Sequence, residues 1–351
     1  MLTRYGDIGA SSRYRFYQFL PFLKKENFEI TVSPLFNDNY VRYLYSKNPK
    51  KAIFNPIKSY IRRIINLIYF NNFDLIWMEK EVLPWVPMSI EKIFLNSSTP
   101  YVVDYDDAVY HRYDQHQNSL IRLVLSRKIR KIMAFSSVVV AGNKYIYDYV
   151  LRSGTTRVEI LPTVVNIQNY SIKQDINHFP FRVGWIGSPS TSRHINIASE
   201  ALNKFCKINY AEFFAIGALE QDLTKIPGQL IPWNEQTENR ELTLFDVGIM
   251  PLPDTPWERG KCGFKLIQYM ACGLPVIASP VGVNRNIVEH GVNGFLAGNE
   301  KEWIEYLEIL KDDTALRSVM GASGREKIEK KYSLEVVGPK LVSILKKAAE
   351  V

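Results

Sequence analysis

From Gly260 to Ala297 the chain reads GKCGFKLIQYMACGLPVIASPVGVNRNIVEHGVNGFLA. Phe264, Leu266, Ile267, Met270 and Ala271 recur close to helical spacing, and Gly273-Leu274-Pro275 ends the pattern. Gly263–Cys272 is therefore predicted to be a short helix with a glycine stop. Pro275–Ser279 is a continuous apolar run between turn residues, as expected of a strand buried on both faces of a parallel sheet. Lys261 and Lys265 are predicted on the first turns of the helix, after a glycine-bearing turn. N–H groups at a helix N-terminus, the positive end of its dipole and two ammonium groups together suit a phosphate-bearing ligand. The same pattern fits an ordinary αβ unit with its lysines in solvent.

Outward from that stretch, the 351 residues exceed the size at which one core keeps growing, which predicts two domains. An apolar content of 46% with 23% charged residues excludes a disordered chain. No apolar run approaches the roughly 18 to 20 residues of a membrane-spanning helix, and no signal-like segment opens the chain, so a cytoplasmic location is expected. Cys206, Cys262 and Cys272 show no C-x-x-C spacing and read as reduced thiols. Charge is uneven. Residues 1–175 carry 24 Lys and Arg against 15 Asp and Glu, whereas the remainder is nearly balanced. Ile57–Phe70 and Ile121–Lys131 mix apolar residues with Lys58, Arg62, Arg63, Arg127, Lys128, Arg130 and Lys131. Basic amphipathic helices of that kind lie on anionic bilayers, and packed helices with a solvated basic face share the pattern. No nucleic-acid module is recognisable, so despite the net charge of +8 no nucleic-acid partner is expected.

In chain order, Met1–Tyr5 reads as the tail of a first strand, and Gly6-Asp7-Ile8-Gly9-Ala10-Ser11-Ser12 as a small-residue turn into a helix from about Arg13 to Lys25. Strands are predicted at Phe28–Val32, Leu75–Met78, Tyr101–Tyr105 and Ser137–Ala141, with room for helices between them, and a proline-bearing strand at Ile160–Asn166. Such alternation argues for a parallel sheet covered on both faces, with ligands beyond the carboxyl ends of its strands. Two polar clusters fall at such ends, Glu79-Lys80-Glu81 and Asp104-Tyr105-Asp106-Asp107. The second could hold a divalent metal or cap the following helix; no metal is expected, because the phosphate-type motif lies in another domain. His116 and His178 lie in polar contexts that suggest no ligand role. The pattern restarts with Phe181–Ile186 and the loop Gly187-Ser188-Pro189-Ser190-Thr191-Ser192-Arg193-His194, another strand, small-residue loop and helix suited to an anion. That loop has neither G-K-[ST] nor G-x-G-x-x-G, which weakens a Walker-type or nicotinamide reading. Further strands are expected at Phe213–Ile216, Gln229–Pro232 and Asp246–Leu252, and helices at Lys301–Lys311, Ala315–Lys330 and Leu334–Lys347.

GFKLIQYMACGLPVIAS followed by GVNRNIVEHGVNGFLA resembles the donor-site signature of GT-B glycosyltransferases, family 4 (glycosyl transferases group 1) in particular. The glycine, proline and M-A-C-G positions agree with that signature. Its three glutamates are replaced by Gly260, Gln268 and Asn286; in the family the first of these positions meets the donor sugar and the second the ribose. A glutamine amide can partly fill the ribose role, and Glu258 could act for the sugar contact through a shifted loop. The resemblance implies an α/β chain with two doubly wound, Rossmann-like domains facing across a cleft: residues 1–170 for the acceptor, 180–332 for the nucleotide sugar, and a last helix, 333–351, crossing back to the first domain.

The same resemblance implies the residue roles. Gly9, Gly187, Ser188, Ser190, Arg193, Trp233, Lys261, Gly263, Phe264, Lys265, Leu266 and Gln268 would surround the donor, with Arg193 and Lys265 sharing the charge that develops on the leaving diphosphate. Asp106, at the place of a family His, and Asp107 would face the acceptor hydroxyl, with Ser11, Arg13, Arg15 and His111 nearby. The implied activity is hexosyl transfer from a UDP or GDP sugar, retaining and without cofactor or metal. Its acceptor would be a lipid-linked glycan or lipopolysaccharide at the inner membrane surface, in surface polysaccharide synthesis. A sugar-nucleotide 2-epimerase, a non-catalytic nucleotide-sugar-binding subunit and a membrane-peripheral interaction protein are the alternatives.

Overall fold

The computed structural model describes residues 1–44, 56–95, 99–174 and 179–350. His178 therefore lies outside the described residues. The chain divides into two compact units, one of residues 1–163, 260–262 and 337–351, the other of residues 164–259 and 263–336. Among the described residues no helix is long and apolar enough to cross a membrane.

The first unit is built on six parallel strands, β1 (Leu2–Tyr5), β2 (Ser33–Phe36), β3 (Ile76–Glu79), β4 (Tyr101–Tyr105), β5 (Val138–Ala141) and β6 (Val158–Ile160), in the order β2-β1-β3-β4-β5-β6. β3 and β4 are buried throughout, as expected of central strands covered on both faces. The order reverses between β1 and β3, which puts the ligand crevice of such a sheet at Gly6–Ser12 and Lys80. Four expectations need correction. The second strand is Ser33–Phe36 rather than Phe28–Val32, because the short β1 offers partners only there, pairing Leu2 with Ser33 and Tyr5 with Phe36. The first helix is in three pieces, Ala10–Arg15, a 3-10 turn at Tyr17–Phe19, and Leu20–Lys25, since Pro21 brings no N–H and fits only a first helical turn. Residues 121–131 are not one helix but the end of Ser119–Leu125 and the start of Lys128–Phe135, because Lys128 turns into the core. The strand expected at Ile160–Asn166 stops at Ile160, with Leu161 adding one further bond to Ala141 before Pro162.

The second unit carries β7 (Arg182–Ile186), β8 (Glu212–Ile216), β9 (Gly228–Ile231), β10 (Val247–Met250), β11 (Val276–Ala278) and β12 (Gly294–Leu296), all parallel, in the order β12-β11-β10-β7-β8-β9. Counted within the unit this is 3-2-1-4-5-6 read from the β9 edge, the dinucleotide-type order whose crevice opens between its first and fourth strands, here β7 and β10. The helix predicted from the opening stretch is present as Phe264–Ala271, and its inward face joins a core with Ile186, Phe245, Met250 and Val276. Helices Glu300–Asp312 and Thr314–Lys331 follow as expected, and the last helix, Leu334–Ala349, counts with the first unit from Val337 onward.

Candidate functional site

In the second unit, β7 delivers the chain to Gly187 at the β7/β10 crevice. A Cβ at Gly187 would stand 2.6 Å from the Lys265 ammonium and 2.5 Å from the Trp185 ring, so only glycine lets the lysine approach this backbone. Lys265 reaches it from the first turn of Phe264–Ala271 and lies 4.8 Å from the centre of the Trp185 ring. Gly263, at φ 67, is the left-handed residue that starts this helix; a Cβ there would meet Ile287 Cδ1 at 2.3 Å. Two cradles expected at this crevice differ from the sequence reading. The loop after Gly187 leads into a 3-10 segment, Ser192–Ile197, and the α-helix begins only at Ser199, so the loop does not run directly into an α-helical N-terminus. Lys261 is not on the helix but precedes it, in the first unit, because Gly263 turns the chain.

The remaining residues expected around a donor fall into two groups. Ser188 and Ser190 bond each other at 2.9 Å, and Arg193 is exposed at the rim of a cavity of about 470 Å³. His194, Thr255, Trp257 and Glu258 line the same cavity from the loops after β7 and β10. Glu258 is buried there, bonded to Thr255 and 3.3 Å from His194 Nε2. Trp233 is half-buried, stands by Gly217 on the next loop, and donates its indole N–H to Glu238 at 2.6 Å. Phe264 is half-buried, whereas Leu266 and Gln268 are buried. Gln268 donates its amide to the Tyr170 hydroxyl at 3.3 Å, and Leu266 packs in the core, which leaves only its backbone for any ligand.

In the first unit, the crevice between β1 and β3 gathers a bonded cluster. Ser11 donates to Asp106 at 2.5 Å, and the Lys80 ammonium lies 2.7 Å from Asp106 and 2.8 Å from the Ser11 hydroxyl. Burial pushes the Asp106 carboxyl up, but Lys80 and the two hydrogen bonds outweigh it and hold the group down at about 2. Asp106 therefore stays ionised at neutral pH, suited to accepting a hydrogen bond rather than a proton. Asp107 meets Lys261 at 3.5 Å, and the Gly260 and Lys261 carbonyls are fixed by the Asn143 amide at 2.8 and 3.0 Å. Neither aspartate caps the helix His111–Asp114, which has no side-chain cap at Tyr110.

Three residues expected near the acceptor have structural partners. Arg15 is buried against Asp104 at 2.7 Å and donates to the Leu161 carbonyl at 2.8 Å. Burial nevertheless raises Asp104 to about 6, against the pull of Arg15. His111 places Nδ1 2.9 Å from Asp114 and Nε2 3.0 Å from the Tyr145 hydroxyl. Arg13 is buried over the Tyr14 ring. Gly9 forms the turn itself, its N–H bonding the Gly6 carbonyl at 3.1 Å. Sequence reasoning missed Lys80 and His194 as site residues. The visible signal for Lys80 was its place in Glu-Lys-Glu directly beyond a buried strand, and His194 carried none.

Residues 180–313 match the family model Glycosyl transferases group 1, a span that holds β7, Arg193, Gly263 and Lys265. Over 84 residues the chain is 34% identical to a GDP-mannose-dependent monoacylated alpha-(1-6)-phosphatidylinositol monomannoside mannosyltransferase of Corynebacterium glutamicum, covering 24% of this chain and 22% of that protein. Over 91 residues it is 32% identical to the capsular polysaccharide biosynthesis glycosyltransferase CapM of Staphylococcus aureus, covering 25% of this chain and 24% of the other. The chain thus spans less than a quarter of the length of these curated relatives. The crystal structure of Anabaena HepE in complex with UDP shares the fold, with a TM-score of 0.65 at 16% identity over 93% of this chain and 88% of that one. The second unit thus carries a stretch that matches glycosyl transferases group 1, and the two six-stranded parallel sheets share the fold of the UDP-bound HepE structure.

Proposed function

We propose that this chain transfers a hexose from a UDP or GDP sugar to a lipid-linked glycan or lipopolysaccharide acceptor in surface polysaccharide synthesis, with retention and without a metal. The observation that carries the donor half is the Lys265 ammonium held against the Gly187 backbone at the β7/β10 crevice, with Arg193 on the loop that follows. Two cations there match a leaving diphosphate, whose charge grows as the glycosidic bond breaks. Glu258, at the cavity that Arg193 rims, has the chemistry to accept a sugar hydroxyl in place of the glutamate replaced by Gly260. On the acceptor side the Ser11, Lys80 and Asp106 cluster would orient the attacking hydroxyl.

The two relatives named for mannosyl transfer to a phosphatidylinositol glycan and for capsule synthesis support a lipid-linked or surface-polysaccharide acceptor, and the UDP complex of HepE supports a nucleotide donor. A cytoplasmic site at the inner membrane surface goes with such an acceptor. Calorimetric titration with UDP and with GDP in the presence of EDTA tests the reading. Saturable binding of one of them is expected; binding of neither, or binding that vanishes with EDTA, counts against it. Conversion of the donor in the absence of any acceptor would move the assignment to a 2-epimerase.

A further inference from the structure

The helix Pro56–Ile68 keeps its isoleucines outside and turns Arg63 and Leu67 inward. Beside the buried Leu67 its inward side carries polar groups: Arg63 is 2% exposed and donates to the Thr3 and Ser33 carbonyls at 2.7 and 3.0 Å, Asn66 bonds Ser33 Oγ at 2.9 Å, and the Tyr60 hydroxyl bonds the Pro84 carbonyl at 2.7 Å. Its outward side is a stripe of isoleucines at helical spacing, Ile57, Ile61, Ile64, Ile65 and Ile68, with Ile57 74% and Ile68 67% exposed, and Tyr69 follows. Exposing one such side chain is ordinary, whereas five on one face mark a surface meant for an apolar medium.

The exposure continues next to the helix. Trp85, adjoining Pro84, is exposed and packs edge-on to His116 at 5.8 Å; the His116 carbonyl accepts from Arg122 on the helix Ser119–Leu125, where Leu120, Leu123 and Val124 are again exposed. Charge settles the choice of partner. No Asp or Glu occurs in residues 51–73 or 115–147, and Lys58, Arg62, Arg122, Arg127, Arg130 and Lys131 are exposed beside the apolar residues. An apolar face whose own segments carry cations and no carboxylate fits the headgroup layer of an anionic bilayer, where isoleucines enter the acyl boundary and the lysines and arginines meet lipid phosphates.

We infer that the isoleucine face of Pro56–Ile68, continued by Trp85 and the Ser119–Leu125 helix, docks this protein on an anionic membrane surface. The inference rests on the lipid-linked acceptor reading for its purpose but not for its test. Trp85 and the Ser119–Leu125 helix follow the carboxyl ends of β3 and β4, where Ser11, Lys80 and Asp106 cluster, and Tyr60 on Pro56–Ile68 reaches Pro84 at that end, whereas Asn66 on its last turns lies by Ser33 at the start of β2; docking that includes the first turns and Trp85 would bring a lipid-borne acceptor to that crevice.

Co-sedimentation of the full chain with vesicles of phosphatidylcholine alone, and of phosphatidylcholine mixed with phosphatidylglycerol, tests it without donor or acceptor. The wild type is expected to partition to the anionic vesicles, less strongly at high salt. Ile61→Asp with Ile65→Asp should lower that partition by about tenfold or more, since an acidic residue opposes both insertion and the surface potential. A Lys58→Glu variant, whose side chain is in solvent, should weaken it severalfold. Matching melting curves and unchanged nucleotide binding in these variants would show that fold and donor site are intact. Equal partition of wild type and the double variant overturns the inference, as does failure of the wild type to bind anionic vesicles. A wild-type dimer that becomes monomeric on Ile61→Asp/Ile65→Asp would assign the face to a second copy instead. Failure of nucleotide binding with vesicle binding retained would overturn the transferase reading alone.

Discussion

Lys265 and Arg193 carry the donor reading at the level of single side chains. Replacing either by alanine removes one charge-assisted contact to a diphosphate and is expected to weaken UDP or GDP binding by about 1 to 3 kcal/mol. Isothermal titration of both variants checks this, and parental affinity in both would place the phosphate elsewhere. The sequence made these two residues legible as candidates because a glycine-flanked lysine and a small-residue loop beyond a parallel strand suit an anion, although a solvated lysine face has the same pattern. It could not show that Lys261, four residues before Lys265, faces Asp107 in the first unit, since one left-handed residue, Gly263, separates their directions. Nor could it show that Arg15 and His111 have partners of their own: Asp104 lies far from Arg15 in sequence, and Tyr145 far from His111. Asp106 was legible as a polar residue at a strand end, yet its character as a held anion depends on Lys80 from a neighbouring strand's end.

At the scale of elements, the buried cluster beyond β3 in the first unit shows how helices and strands are tied. Lys128 on Lys128–Phe135 is 1% exposed and meets Glu81 after β3 at 2.7 Å, Glu91 on Met88–Leu95 at 3.0 Å, and the Leu83 carbonyl at 2.6 Å. Tyr113 adds its hydroxyl to Glu81. Burial pushes the Glu91 carboxyl up to about 7, against Lys128 and the Leu83 N–H bond. An unfolded glutamate titrates near 4.5, so between about pH 4.5 and 7 the native state holds the extra proton. Stability contributed here is therefore present below that window and falls as pH rises through it, by an amount on the order of 3 kcal/mol at full effect. Glu91→Gln should flatten this dependence. Urea unfolding of parent and variant at about pH 5 and about pH 8 measures it; identical slopes in the two proteins would remove Glu91 as the cause.

For the whole molecule, two units with separate cores predict two calorimetric transitions. Ligand that binds only the native second unit, as the proposed donor site requires, stabilises that unit by mass action, by about 2.7 kcal/mol at a hundredfold excess over the dissociation constant. Saturating UDP or GDP should thus raise one transition and leave the other in place; movement of both together would mean that the units unfold as one. The sequence by itself determined the alternation of buried strands and helices, the helix Phe264–Ala271, and the restart of the pattern at Phe181, because strand burial on both faces and helical spacing are written locally. Periodicity says that a helix has two faces but not which one meets the core. Only the tertiary structure decided that Arg63 would bond the Thr3 and Ser33 carbonyls while the isoleucines of Pro56–Ile68 remain outside, and that Lys128 would enter the protein to meet Glu81 and Glu91. In each case the deciding partner is a buried oxygen at least 30 residues away along the chain, whose need for a donor outweighs the local preference of the helix.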